Sequence, residues 1–138
     1  MGKAILTPID NPEKVVKASN CLMSDGQTSV EDMVTTDGLH NVTPTSNVTV
    51  IEYFNYFKIG KLVVVNIGGV SESTGLTAVK IGEGLPVMRS RPLAIIANDA
   101  TPSTHSCVVF GSIGNTELYL STHTANTIYY GQLVYYTD

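Results

Sequence analysis

Alternating side chains define the most regular stretch of the chain, residues 53–70. Two runs of strand-forming residues flank positions 59–61, where Gly60 can take the positive φ of a tight turn. In the second run the side chains alternate between two faces, with Val63, Val65 and Ile67 on one of them. Both faces of this hairpin are largely apolar, so we expect both to be covered, by a second sheet or by a second copy of the chain.

Strand-forming segments recur about every ten residues after position 47, and turn-forming residues separate most of them. No stretch of ten or more residues in this region has helical periodicity. This pattern predicts an all-β fold, an antiparallel, jelly-roll-like β-sandwich that forms a head domain over residues 48–138. The predicted strands are 48–52, 53–58, 61–69, 76–81, 92–98, 105–111, 116–121 and 127–137.

The first 47 residues have a different composition and predict an attachment segment, an N-terminal arm or neck. Separated apolar groups, prolines and charges up to residue 18 favour an extended arm or a short strand over a core element. Ser29 or Thr28 can cap a short helix that contains Val30 and Met33 on one side. Residues 35–47 are polar, rich in Thr and Asn, and typical of a linker.

The bulk composition narrows the possible partners. The chain has 138 residues, enough for one domain, with only 14% charged residues and a formal net charge of −4. Phosphate contacts need clustered Lys and Arg, so we expect no nucleic-acid partner. Neither a signal peptide nor an apolar run near 18 residues is present, so we expect no membrane insertion. The many uncharged surface positions suit contacts between subunits or with a sugar.

Motifs for catalysis and metal binding are weak. His40, His105 and His123 do not have the spacing of metal ligands, so we predict no metal and no cofactor. The chain has no Gly-x-Ser-x-Gly nucleophile motif, and the acids of the head fall mostly in turns. Cys21 and Cys107 lack motif spacing, which favours a buried thiol and an incidental one over a disulfide.

Four segments together resemble a known family. They are the Tyr-Phe-Lys-Ile-Gly-Lys-Leu-Val-Val-Val-Asn-Ile run at 56–67, the Ile-Gly-x-Gly-Leu-Pro turn at 81–86, the Arg-Pro-Leu strand at 91–93 and the Gly-x-Leu-x-Tyr strand at 131–135. This pattern resembles the C-terminal head domain of siphophage and prophage tail-fibre or baseplate receptor-binding proteins.

The resemblance implies a β-sandwich head that forms a homotrimer and binds saccharides of the host cell surface. It also implies contacts with other tail or baseplate proteins, and a location at the phage tail tip of the virion after assembly in the host cytoplasm. Two alternatives stay open. One is a structural tail or baseplate component that binds only other tail proteins; the other is a polysaccharide-degrading tail enzyme.

Polar loops with a nearby aromatic or histidine side chain suit a saccharide, which offers hydroxyl groups and an apolar ring face. The candidate ligand-binding residues lie in or beside the loops at 98–105 and 121–127 and at the start of one strand. They are Asn98, Asp99, Thr101, His105, Glu117, His123, Asn126 and Tyr129. One such shallow site would bind weakly, and several copies would raise the affinity by avidity.

Overall fold

The structure, a computed structural model, describes residues 38–138, which form one antiparallel sheet of nine strands and contain no helix. The strands are β1 (His40–Asn41), β2 (Thr43–Pro44), β3 (Val48–Ile59), β4 (Leu62–Glu72), β5 (Val79–Glu83), β6 (Leu93–Ala97), β7 (Ser106–Phe110), β8 (Leu118–Ser121) and β9 (Ile128–Tyr136). The all-β prediction is therefore confirmed for this part of the chain. The short helix predicted near residue 29 lies outside the described residues.

The predicted and observed strands differ at β1 and β2, which lie in the predicted linker, at β5, which was predicted at 76–81, and at β3. The two strands predicted at 48–52 and 53–58 form a single strand with a register shift between Val50 and Tyr53. Such a bulge bends a strand without ending it. Gly60 has a φ of 59°, and the two-residue turn at 60–61 joins Ile59 to its partner Leu62, as the hairpin pattern predicts.

The strand order is β1-β3-β4-β9-β6-β7-β8-β5-β2. Because β1 and β2 are neighbours in the chain, the first and last strands of this order come from one short segment. Asn41 pairs with Asn55 of β3, whereas Thr43 pairs with Glu83 of β5. The sheet therefore curls into a nearly closed barrel. The two facing sheets of a sandwich are not confirmed, since every described strand belongs to this one sheet.

The composition of the closing segment, residues 40–44, predicts part of the polar arm, whereas in the structure it pairs with the sheet. Its one apolar side chain, Val42, is buried, and the Val42 amide donates to the Phe54 carbonyl oxygen at 2.9 Å. The neighbouring Asn41 and Thr43 side chains are exposed. A mostly polar segment suits this position because only one of its side chains reaches the core.

The inner face of the barrel forms the core. β4 contributes Val63, Val65 and Ile67, and the aromatic-rich β9 lies between β4 and β6, as expected for a strand of that composition. Cys107 of β7 is a free thiol in this core, and burial raises its pKa to about 12.

The antiparallel pairing assigns every connection to one of two barrel ends. We call them the Gly60 end and the Glu72 end, after the residues at either end of β4. The Gly60 end holds the turn at 60–61 and residues 84–92, 111–117 and 137–138. The Glu72 end holds the short link at 45–47 and segments 73–78, 98–105 and 122–127.

Gly82 gives a test of the barrel closure. A Cβ atom at this position would lie 2.6 Å from Val42 Cγ1 and 2.7 Å from Phe54 Cε1. We expect Gly82→Ala to lower the free energy of unfolding by about 1–3 kcal/mol through overpacking. Urea unfolding measures this cost. In a Val42→Ala background the added cost should be smaller, and an equal cost would show that Gly82 does not crowd the closing segment.

Candidate functional site

Three segments meet at the Glu72 end, which contains most of the candidate residues. Segment 73–78 follows β4, segment 98–105 joins β6 to β7, and segment 122–127 joins β8 to β9. β4, β6 and β8 all run toward this end because each pairs antiparallel with a strand that runs away from it. The sheet topology therefore places residues from distant parts of the sequence at one end.

Asn98 organises the first of the two long loops. Its side-chain oxygen accepts hydrogen bonds from the backbone amides of Ala100 and Thr101, each at 3.0 Å. Its side-chain nitrogen donates to the Ile128 carbonyl oxygen at 2.8 Å, which ties the loop to the start of β9. Asn98 therefore holds the loop in shape and has little hydrogen-bonding capacity left for a ligand.

The rest of this loop is a compact turn with exposed polar groups. The Thr101 hydroxyl lies 2.9 Å from His105 Nδ1, and the His105 amide donates to the Thr101 carbonyl oxygen at 2.9 Å. The side chains of Asp99 and Thr101 are exposed, and His105 is half-buried. Asp99 is thus a negative charge on a loop whose backbone is fixed by its neighbours.

The loop at 122–127 contains two residues in the left-handed region, Thr122 with a φ of 61° and Asn126 with a φ of 59°. This conformation is uncommon outside glycine and needs support from neighbouring contacts. The Asn126 amide donates to the Glu72 carbonyl oxygen at 2.8 Å. The Thr124 amide donates to the Tyr129 hydroxyl, also at 2.8 Å.

Glu72 is a fully buried carboxylate that fastens segments 73–78 and 122–127 together. Oε1 accepts from the Thr74 hydroxyl and amide at 2.6 and 2.9 Å, and Oε2 accepts from the Gly75 amide at 2.8 Å. Burial raises the pKa of this carboxyl group. The hydrogen bonds from Thr74, His123 and Gly75 outweigh that effect and lower the pKa to about 2.

His123 completes this arrangement from the second long loop. Its Nε2 lies 2.5 Å from Glu72 Oε2, and both side chains are fully buried. Because the carboxylate can only accept, His123 donates through Nε2. The buried Nδ1 has no protein partner within the described part of the chain. The pair joins the end of β4 to the β8–β9 loop and contributes to the internal structure of this end.

The structure divides the eight candidate residues into three groups. Asp99, Thr101 and Asn126 are exposed at the Glu72 end. Buried or loop-forming positions at the same end are taken by Asn98, His105, His123 and Tyr129.

Glu117 forms the third group, because it lies near the opposite end of the barrel. It accepts from the Tyr119 hydroxyl at 2.7 Å and lies 3.4 Å from Lys80 Nζ. These hydrogen bonds, that of Tyr119 first, lower its pKa. The loops therefore bring together seven of the eight candidates, and three of the seven are exposed.

Two further residues of this end were not among the candidates. Tyr130 lies on the outer side of β9, and its pKa is raised by burial and by the negative charges of Asp99 and Glu52. Alternation along β9 already separated Tyr130 from the inward-facing Tyr129. Glu72 could not be found in this way, because strict alternation from Val63, Val65 and Ile67 would point its side chain outward. The register shift between Gly68 and Val70 reverses the alternation and turns the Glu72 carboxylate into the core, where it needs donors.

The part of the chain that the structure describes has no group of three or more His, Cys, Asp or Glu side chains that could hold a metal ion. Within residues 38–138, no helix is long and apolar enough to cross a membrane. No family model, no curated protein and no solved structure matches this chain.

Glu72 makes the stability of the fold depend on pH. Its pKa is about 2 in the folded chain against a reference value of 4.5, so its contribution is present above about pH 5 and is lost as the pH falls toward 2. We expect Glu72→Gln to lower the free energy of unfolding by about 2–3 kcal/mol at pH 7, and by less than about 1 kcal/mol at pH 2.5.

Urea unfolding of both proteins at pH 7, 5 and 2.5 measures this difference. Glu117→Gln is the matched control, because its partners are partly exposed and its effect should stay below about 1 kcal/mol at each pH. A Glu72→Gln cost that is the same at pH 7 and pH 2.5 would contradict the assignment.

Proposed function

We propose that this chain forms the receptor-binding head of a phage tail, a non-enzymatic module that binds a saccharide of the host cell surface through the Glu72 end. The supporting observation is that internal hydrogen bonds fix the loops of this end while Asp99, Thr101 and Asn126 remain exposed. A binding surface whose backbone is already ordered loses little entropy when a weak ligand binds. Weak binding at one such surface would be raised by repetition in an assembly.

The side chains at this end suit the two surfaces of a sugar. Tyr130 is half-buried on the outer side of β9 and offers part of its ring for stacking on the apolar face of a pyranose. Burial, and after it the negative charge of Asp99, raises the pKa of the Tyr130 hydroxyl. Asp99 would accept hydrogen bonds from sugar hydroxyls beside that ring.

The lowered pKa and the hydrogen bonds of the buried carboxylate favour saccharide binding over saccharide cleavage. Glycoside hydrolysis needs a carboxyl group whose raised pKa lets it act as an acid, together with a second carboxylate. Glu72, the only buried carboxylate among the described residues, has a pKa lowered to about 2. Its oxygens accept hydrogen bonds from Thr74, Gly75 and His123, so they are not available to protonate a leaving group.

The Gly60 end would remain for contacts with other tail or baseplate proteins, because it lies away from the saccharide surface. The curled sheet would serve as the counterpart of the jelly-roll-like sandwich head that the resemblance implies.

Binding to purified cell-wall polysaccharides and to a glycan array tests this proposal. We expect Asp99→Ala and Tyr130→Leu each to weaken binding by about tenfold, the cost of losing a polar contact or a stacking surface. The matched control is Glu83→Ala, which removes an exposed carboxylate beside the opposite end of the barrel. The mass of each variant is measured by light scattering, so that lost avidity is not mistaken for lost contacts.

Two results would reject the proposal. One is the absence of binding to every saccharide tested, combined with capture of other tail proteins, which would support the structural alternative. The other is release of reducing ends during prolonged incubation with a bound polysaccharide, which would support the alternative of a polysaccharide-degrading tail enzyme.

A further inference from the structure

A shallow pocket lies on the outer surface of the barrel, where the closing segment joins the first hairpin. It is lined by Leu39, just before β1, by Tyr53 and Asn55 of β3, and by Asn66 of β4. Its volume is about 270 Å³, slightly below the roughly 300–1,000 Å³ of typical ligand sites. The pocket therefore fits one chemical group of a ligand rather than a whole ligand.

The ring of Tyr53 connects this pocket to the proposed saccharide surface. The register places Tyr53, Gly68 and Tyr130 in one row across β3, β4 and β9. A Cβ atom on Gly68 would lie 2.5 Å from Tyr53 Cζ, so the tyrosine ring occupies the space that a side chain would otherwise fill. Tyr53 is 46% exposed, and its backbone lies about 10 Å from that of Tyr130. One ligand molecule can therefore reach from Tyr130 across Gly68 to the pocket.

The two asparagine side chains of the pocket are held in place by a row of amides. Asn66 Nδ2 donates to Asn55 Oδ1 at 3.1 Å, and Gln132 Nε2 donates to Asn66 Oδ1 at 2.7 Å. Among the described residues, no side chain or backbone group accepts from Asn55 Nδ2, which keeps both of its hydrogens. Each of the two asparagine oxygens also keeps a second lone pair. The pocket thus offers oriented donors and acceptors whose bonding capacity is only partly used.

The lining residues limit the kind of group that fits the pocket. All four are uncharged, whereas a phosphate or a carboxylate would call for Arg or Lys. A purely apolar group would leave the amide hydrogens of Asn55 unpaired. A hydroxyl group would use the amides but would leave Leu39 and the ring of Tyr53 without an apolar contact. The pocket therefore suits a neutral group that combines hydrogen bonding with an apolar end.

We infer that this pocket binds the acetamido group of an N-acetylated amino sugar. Such a group has a carbonyl oxygen that accepts from Asn55 Nδ2 and an N–H that donates to a remaining lone pair of an asparagine oxygen. Its methyl group packs against Leu39 and the ring of Tyr53. The inference rests on the proposed function, because the saccharide bound at Tyr130 is the molecule that carries the acetamido group.

The test follows the side-chain amide signals of Asn55 and Asn66 by NMR in the ¹⁵N-labelled full chain. The probes are the methyl glycosides of N-acetylglucosamine, N-acetylgalactosamine and N-acetylmannosamine, added to about 20 mM because a single small contact site binds weakly. Each is paired with the methyl glycoside that has a hydroxyl group in place of the acetamido group. We expect at least one acetylated probe to shift both signals and to bind about tenfold more tightly than its hydroxyl counterpart.

Two variants change the pocket in different ways. Asn55→Asp keeps the size of the side chain and the bond from Asn66 Nδ2 but removes both donor hydrogens, so the preference for the acetylated probe should be lost. Leu39→Ala changes an exposed side chain and should weaken binding of the acetylated probe alone, by about threefold. Asn115→Asp is the matched control, because it makes the same chemical change at an exposed position of the Gly60 end and should keep the preference.

Three results would overturn the inference: no acetylated probe shifts the two signals, the hydroxyl counterparts bind equally well, or Asn55→Asp keeps the preference. Its failure is distinguishable from failure of the proposed function. Polysaccharide binding that Asp99→Ala weakens, without a preference for acetylated probes, would reject the pocket alone. A preference for acetylated probes at Asn55, in a chain whose polysaccharide binding does not depend on Asp99, would reject the saccharide surface at the Glu72 end alone.

Discussion

The fold depends on the hydrogen bonds that residues 40–44 make to two strands that do not pair with each other. Asn41 pairs with β3 and Thr43 with β5, so five residues close the gap between the two sides of the curled sheet. Without this connection β3 and β5 would present open backbone edges, and the core would be reached by water through the gap between them. Closure turns the sheet into a barrel with an inner face, an outer face and two ends. The core lies on the inner face, and most candidate residues lie at the Glu72 end.

Much of this architecture follows from the sequence, because alternation depends only on local geometry. The sequence pattern predicts which side chains of β4 up to Ile67 and of β9 point inward, and it also predicts the turn at Gly60. The closing segment could not be recognised in this way, since it has a single apolar residue, Val42, among polar neighbours. Its strands are defined by distant partners rather than by its own composition. The sequence also cannot distinguish one curled sheet from two packed sheets, because both require the same inward and outward alternation.

At the candidate site, too, the sequence does not predict the features that depend on distant parts of the chain. Loop composition correctly places polar residues near strand ends, but it does not say which side chains are used to build the loop. His123 has the polarity of a surface residue, yet it is buried because Glu72 reaches it from a strand 51 positions earlier in the chain. Asn98 shows the same limit in part: its bonds to Ala100 and Thr101 are local, but its bond to Ile128 forms only because β6 and β9 are adjacent. Among the exposed residues, Thr101 and Asn126 still make hydrogen bonds that hold their loops, whereas the side chain of Asp99 is not used in this way.

The buried thiol of Cys107 has a practical consequence for experiments on this protein. Reagents that modify cysteine react with the thiolate, and burial in the barrel raises the pKa of Cys107 to about 12. In the closed barrel this thiol is protected both by its protonation and by the side chains around it. Its rate of alkylation therefore reports how often the sheet opens far enough to admit a reagent. Because the chain also contains Cys21, mass spectrometry of the peptide that carries Cys107 would follow the alkylation of this one thiol and thereby the rate of barrel opening.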